Sequence, residues 1–315
     1  MGMLYVDRKN VELRHEGGRI LVYEQGRCSG SVPLAQLEAV VVQGHALLDT
    51  GLLRALAGAG VGLLVLDSRR PEFTSRLEGR SHNQSSRRLE QYRRSLDETW
   101  RARFSKLLVR RKVREQRRLL AEALSRRPDL RRSLLSAVRD LDARLCELGE
   151  GMPSRERLRG LEGVAARDYF QGYCRLFPRS VNFTGRNRRP PRDPVNACLS
   201  LAYTLLQAEA VRAVQVAGLD PMLGFFHDVA FGRDSLACDL VEPLRPSVDR
   251  LVWELFRMRS LTAEHFSSSE GGCLLGKGGR RIFYSAFESQ MPPIRRKLRK
   301  YALLLARSLE GREDA

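Results

Sequence analysis

Three stretches of this 315-residue chain set acidic residues or a histidine among apolar residues. Leu158, Leu161, Ala165 and Tyr169 recur every three to four residues, which places Glu162 on the rim of a helical apolar stripe. Leu236, Leu240 and Leu244 form a second stripe, with Asp239 and Glu242, three residues apart, sharing a neighbouring face. Between them the run Gly224-Phe225-Phe226 ends in His227. Two carboxylates and an imidazole can thus border one groove. A hard divalent ion takes oxygen ligands, and a mixed Glu/His/Glu set with open positions suits Mn²⁺ or Mg²⁺. Such an ion polarises a phosphate and activates an attacking oxygen. Spacing alone does not establish the site, because a lone glutamate on a helix rim is ordinarily a solvated charge.

The elements that must position these groups are helices. From about Gln84, Leu89, Tyr92, Leu96, Trp100 and Phe104 keep a helical period. Breaks at Pro128, Pro153, Pro178, Pro190-Pro191, Pro221 and Pro292-Pro293 predict helices over 84–126, 129–149, 154–177, 194–217, 233–260 and 293–310, with a frayed tail at 311–315. Before Thr74 the apolar runs are short and β-like: Leu4–Val6, Ile20–Tyr23, Leu37–Val42 and Val61–Leu66. Glu16-Gly17-Gly18 and Ser29-Gly30-Ser31 read as turns, and Leu52–Leu56 as a short helix. The expected fold is α+β, a small N-terminal β-rich domain over 1–80 followed by a larger all-α catalytic domain over 81–315.

Charge points to the partner. The formal charge is +18 and the pI about 10.4, a balance that suits a polyanion or an acidic membrane surface. Only six of the 55 basic residues are lysine, so arginine excess from base composition is the bland explanation. It does not account for the partition: residues 1–75 hold eight basic and eight acidic side chains, so the whole excess lies beyond them. Arg76–Arg118 carries 15 basic and five acidic residues, partly a solvated helix face. Arg179, Arg186, Arg188, Arg189 and Arg192 crowd a proline-flanked loop with no acid among them, and Arg295, Arg296, Lys297, Arg299 and Lys300 form a later cluster. Such groups grip phosphates without reading bases. Tyr169, Tyr203 and Trp253 are candidates for base stacking, with a core role the commoner use. No run of about 18 apolar residues occurs and the first residues lack a charged-then-apolar leader, so a cytoplasmic protein without membrane contact is expected. The six cysteines show no zinc spacing and read as reduced thiols.

The stretches 158–170, 218–227 and 232–246, together with Pro190-Pro191-Arg192-Asp193-Pro194-Val195-Asn196-Ala197 and Leu199-Ser200-Leu201-Ala202-Tyr203, resemble the CRISPR-associated integrase family, Cas1, over nearly the whole chain. The resemblance implies a β-domain joined to a helical catalytic domain, homodimerisation, and assembly with the small partner Cas2. It further implies a metal-dependent DNA endonuclease and integrase that inserts short foreign fragments, or spacers, into a CRISPR array in antiviral defence. Carried over by motif, Glu162, His227 and Glu242 are the Mg²⁺ or Mn²⁺ ligands and catalytic residues, with Asp239 as a possible additional acid. Arg186, Arg188, Arg189, Arg192, Arg245 and Tyr203 are the expected contacts to DNA that is double-stranded, branched or carries free 3′ ends. A catalytically silent nucleic-acid scaffold and a structure-specific repair nuclease are the alternatives. No nucleotide cofactor is expected: Gly271–Gly278 nearly spells a phosphate-binding loop but puts Gly278 where a magnesium-binding hydroxyl belongs, and it reads as a glycine-rich turn. His15, His45, His82 and His265 lack acidic or cysteine partners at ligand spacing.

Overall fold

A computed structural model describes residues 2–67, 74–77, 84–187, 190–269 and 271–310. His82, Arg188, Arg189, the 80/81 boundary and the 311–315 tail lie outside the described residues. The chain divides into two compact units, Met1–His82 and Asn83–Ala315.

The first unit holds two four-stranded sheets. In one, β1 (Gly2–Val6), β5 (Leu37–Gln43) and β7 (Gly62–Leu66) run parallel and β8 (Ser75–Leu77) pairs antiparallel with β7. In the other, the order is β4 (Arg27–Pro33), β3 (Arg19–Glu24), β2 (Val11–Glu16), β6 (Ala46–Leu48). Every residue of β5 is buried, Glu38 and Gln43 with the apolar ones, as befits a central parallel strand. Helix α1 (Thr50–Gly58) starts where the Asp49 side chain accepts from the Leu52 amide at 2.6 Å, and it buries Leu52 and Leu56 among Leu13, Ile20, Val40 and Leu63. Ser29-Gly30-Ser31 is not a turn: it lies in β4, an exposed strand with no apolar alternation to betray it, held by pairing with β3. The turn is Gln25-Gly26, both at positive φ, the geometry a two-residue hairpin favours.

The second unit is helical. Its elements are α2 (Ser85–Leu96), α3 (Glu98–Arg126), α4 (Arg131–Glu147), α5 (Arg155–Cys174), α6 (Pro194–Val216), α7 (Ser235–Val241), α8 (Arg245–Arg257), a hairpin of β9 (Phe266–Ser269) and β10 (Gly272–Leu275), and α9 (Lys277–Leu309). The helix expected over 84–126 is two, because Asp97 stops one and caps the next, accepting from the Trp100 amide at 2.9 Å. That expected over 233–260 is divided by a 3-10 turn, Glu242–Leu244, where Pro243 and Pro246 withhold amide donors. The helix expected from residue 293 instead begins at Lys277 and runs through Pro292 and Pro293, with Phe283, Phe287, Met291, Ile294 and Leu298 buried along it. The stretch expected as a glycine-rich turn is therefore a strand leading into a helix. Gly272 serves packing: a Cβ there would meet Pro190 Cβ at 2.7 Å, and the Cys273 amide donates to Pro191 O at 2.7 Å. No helix among the described residues is long and apolar enough to cross a membrane.

Candidate active site

Helix α3 buries one face along Leu108, Val109, Lys112, Val113, Gln116, Leu119 and Leu120. A lysine in that stripe is the exception, since lysine is almost never buried unpaired. Lys112 points between two carboxylates from different elements, Glu162 on α5 and Glu242 on the 3-10 turn. Its Nζ contacts Glu162 Oε1, and lies 2.5 Å from Glu242 Oε2. Arg245 adds a second cation, Nε to Glu242 Oε1 at 3.0 Å. Burial by itself would push the Glu242 carboxyl up, but Arg245 and then Lys112 outweigh it and hold it at about 2. Glu242 is thus a carboxylate at any physiological pH, in a pocket that leaves its residue 5% exposed.

His227 is positioned by Asp239. The Asp239 carboxylate, fully buried on α7, accepts from the amides of Phe225 (2.7 Å), Phe226 (3.0 Å) and His227 (2.9 Å), and meets His227 Nδ1 at 2.7 Å. A carboxylate accepts, so Nδ1 is the nitrogen that carries a proton here, and in the neutral ring the Nε2 lone pair is the one left for a ligand. The same hydrogen bond fixes ring orientation in metal-binding histidines. The loop is held from its other side as well. Arg101, Arg155 and Arg159 bond the Asp228 carboxylate and depress its pKa against the burial that would raise it, while Trp100 and Phe104 pack on Phe225 at 4.4 and 5.2 Å. Gly224 admits no side chain: a Cβ there would lie 2.7–2.8 Å from backbone atoms of Ser235 and His227.

Among the described residues no three His, Cys, Asp or Glu side chains are gathered as a ready metal-binding group. The arrangement nonetheless fits a divalent cation. A cation already sits between Glu162 and Glu242, His227 lies within electrostatic reach of Glu242, and buried Glu242 Oε2 has no hydrogen bond of good geometry. Asp239, read from sequence as a possible further acid, faces the 225–227 loop with both oxygens engaged.

The expected DNA contacts divide. Arg192 is exposed, its amide donating to Asn187 Oδ1 at 3.0 Å. Arg186 turns inward: its guanidinium bonds Asn196 Oδ1 (2.8 Å) and Ser200 Oγ (3.1 Å) and lies over the Tyr203 ring. Arg245 stacks on the same ring, 4.6 Å from its centroid. Arg295, read as part of a phosphate-gripping cluster, is buried and bridges Glu209 and Glu288. Lys112 was not singled out in the sequence. Its signal is legible there, a charge standing where the apolar stripe of α3 requires a core residue.

Behind the site Asp249 on α8 gathers three phenols. Tyr169 and Tyr203 donate to its carboxylate at 2.9 and 2.5 Å, and Tyr173 to its carbonyl oxygen at 2.7 Å. Burial raises the Asp249 carboxyl from 3.8 to about 6, although the Tyr203 and Tyr169 bonds oppose it. Below about pH 4 folded and unfolded chains both hold this proton; between about pH 4 and 6 only the folded chain does, so its stabilising contribution is lost as pH rises through that window. Asp249→Asn is therefore expected to flatten a decline of about 3 kcal/mol across pH 4–6. Melting curves of both proteins over pH 4–7 check this, and parallel pH profiles would refute it.

Residues 4–289 match the model of a family described as CRISPR associated protein Cas1. The chain is 40% identical over 290 residues to CRISPR-associated endonuclease Cas1 1 of Thermodesulfovibrio yellowstonii, covering 91% of each. In fold it is similar to a Cas1 protein from Thermotoga maritima, with a TM-score of 0.86, 21% identity, and coverage of 99% of this chain and 98% of the other. A casposase bound to integration product gives 0.85 at 20% identity, covering 100% and 92%. A chain of a Cas6-RT-Cas1–Cas2 complex gives 0.84 at 21% identity, covering 99% and 35%.

Proposed function

This chain belongs to the CRISPR-associated Cas1 family of endonucleases and integrases, and we propose that it is a Mg²⁺- or Mn²⁺-dependent enzyme that joins short DNA fragments into a CRISPR array. The observation that carries the reading is the convergence of Glu162 and Glu242 on one shared cation, with His227 held beside them in the tautomer that ligates. Glu162, Glu242 and His227 Nε2 would hold the divalent ion. When bound, that ion lowers the barrier at phosphorus by neutralising charge that builds on the phosphoryl oxygens. Asp239 keeps the imidazole oriented, and Arg245 lends a fixed positive charge beside the carboxylates. The fragment's 3′ oxygen attacks phosphorus and loses its proton as the target's P–O3′ bond breaks, and the departing oxygen takes up a proton.

DNA and Cas2 as partners are supported by the family and by structural neighbours that include a casposase bound to integration product and a Cas6-RT-Cas1–Cas2 complex, and a cytoplasmic setting is part of the same proposal. We assign homodimer contacts to the β-unit, whose residues 1–75 carry balanced charge and so do not oppose self-association. An assay scoring joining against cutting on an array-bearing plasmid, with Mn²⁺ or with chelator, tests the function. Metal-dependent cutting without joining would favour the repair nuclease, and neither activity would favour the scaffold.

DNA grip is expected to come from phosphate contacts outside the catalytic cluster. Replacing Arg188, Arg189 and Arg192 with alanine together should flatten the log–log salt dependence of duplex binding by about two to three and weaken unrelated sequences alike. Arg186 is left in place because its donors are used within the fold. An unchanged slope, or a loss confined to one sequence, would assign the loop a different role.

A further inference from the structure

Lys112 is the group at this centre that the ligand set above does not use. It is 8% exposed, and it rises from a helix face that otherwise carries Leu108, Val109, Val113 and Leu119. Its ammonium touches both proposed carboxylate ligands, so it stands on the line between Glu162 and Glu242 that a bridging divalent ion would take. Charge leads to the same place. Glu162 and Glu242 are balanced by Lys112 and Arg245; even counting the Asp239 carboxylate behind His227, a dication added with both in position would set four positive charges against three negative in a pocket where Glu242 and Lys112 are nearly out of reach of water. One cation must leave. Arg245 is stacked on Tyr203 as well as paired with Glu242, whereas Lys112 carries a compact charge on a flexible four-carbon stem.

We infer that Lys112 is a built-in competitor of the metal: its ammonium holds the two glutamates together in the metal-free protein, is displaced when the divalent ion enters, and then pairs with the DNA phosphate brought to that ion. The inference rests on the metal-binding reading of Glu162, His227 and Glu242. It implies that metal affinity is set low in the absence of DNA and rises when a phosphate is present to receive the displaced charge, so that metal and DNA bind cooperatively.

The test is calorimetric titration of Mn²⁺ into the full-length protein and its Lys112→Met variant, without DNA and with a duplex carrying free 3′ ends. Lys112→Met is expected to bind Mn²⁺ at least about tenfold more tightly than the parent without DNA, to lose the parent's gain on adding duplex, and yet to join DNA more slowly. Tighter metal binding with slower joining is a pairing that a lysine needed only for packing would not produce. A folded variant with equal or weaker Mn²⁺ affinity overturns the inference. Should Lys112→Met unfold without metal, Lys112→Gln is titrated in the same way, and the Mn²⁺-induced rise in melting temperature must exceed the parent's or the inference falls. Failure of the underlying reading looks different: parent, Lys112→Met and Glu162→Gln would then all give the same Mn²⁺ isotherm, or none.

Discussion

His227→Ala and Glu242→Gln are each expected to lower Mn²⁺-dependent joining by about a thousandfold, while duplex affinity measured in chelator, without metal, stays within about a few-fold. Glu242 contacts the Lys112 ammonium and His227 stands near Glu242 with its ring held by Asp239, and losing a ligand removes several kcal/mol of stabilisation at the phosphorus, about three powers of ten in rate. DNA affinity is expected to be spared because the proposed phosphate grip comes from basic residues outside the catalytic cluster. His227→Ala is the cleaner variant. Its ring is partly exposed, whereas Glu242→Gln also strips a buried counter-charge from Lys112 and Arg245, at a cost of about 3–5 kcal/mol to the fold. Gel-based joining assays beside filter binding check the pair of outcomes. Joining retained in His227→Ala would remove the assignment.

Asp239→Asn should both destabilise the protein and weaken metal binding, although it changes a single atom and contacts no substrate. Four donors converge on this carboxylate, three amides and the His227 ring. A carboxamide offers one oxygen, so some of those donors must face an NH₂ instead, each mismatch costing about 1–3 kcal/mol. Where the NH₂ meets His227 Nδ1 it also drives the ring proton to Nε2 and blocks the ligating nitrogen. A loss of metal affinity of about ten- to a hundredfold is expected from disturbing such a support. Melting and Mn²⁺ titration read the two effects separately. A variant as stable as the parent would show that the 225–227 loop is held mainly by its aromatic and arginine contacts.

Much of this fold is written in local pattern. The strand at Leu37–Val42, helix α1 with its Asp49 cap, and the start of α6 at Pro194 after Asp193 all follow from short-range chemistry. What local pattern does not show depends on partners elsewhere in the fold. β4 has no apolar alternation and is a strand because β3 pairs with it. Pro292 and Pro293 read as a helix break, yet α9 passes through them with Met291 and Ile294 anchored in the core. The site shows the same division. The motifs point to Glu162, His227 and Glu242 as candidates, but neither periodicity nor motif reveals that Asp239 faces three amides, that Arg186 folds back on Asn196, or that Lys112 crosses from α3 to meet two acids 50 and 130 residues later. Those are properties of packed space.

In a saturation screen for loss of joining, position 224 should score as severely as position 227, although glycine brings no atom to the chemistry. The backbone of Ser235 and the carbonyl of His227 close over Gly224 so tightly that a methyl group has nowhere to go, and the least costly escape is to move the strip of chain that ends in the imidazole. A map of sensitive positions would then draw the active centre larger than it is, mixing residues that react with residues that merely must be small. Adding Mn²⁺ in excess would sort them: a ligand lost outright stays lost, whereas a displaced histidine can be drawn back by mass action.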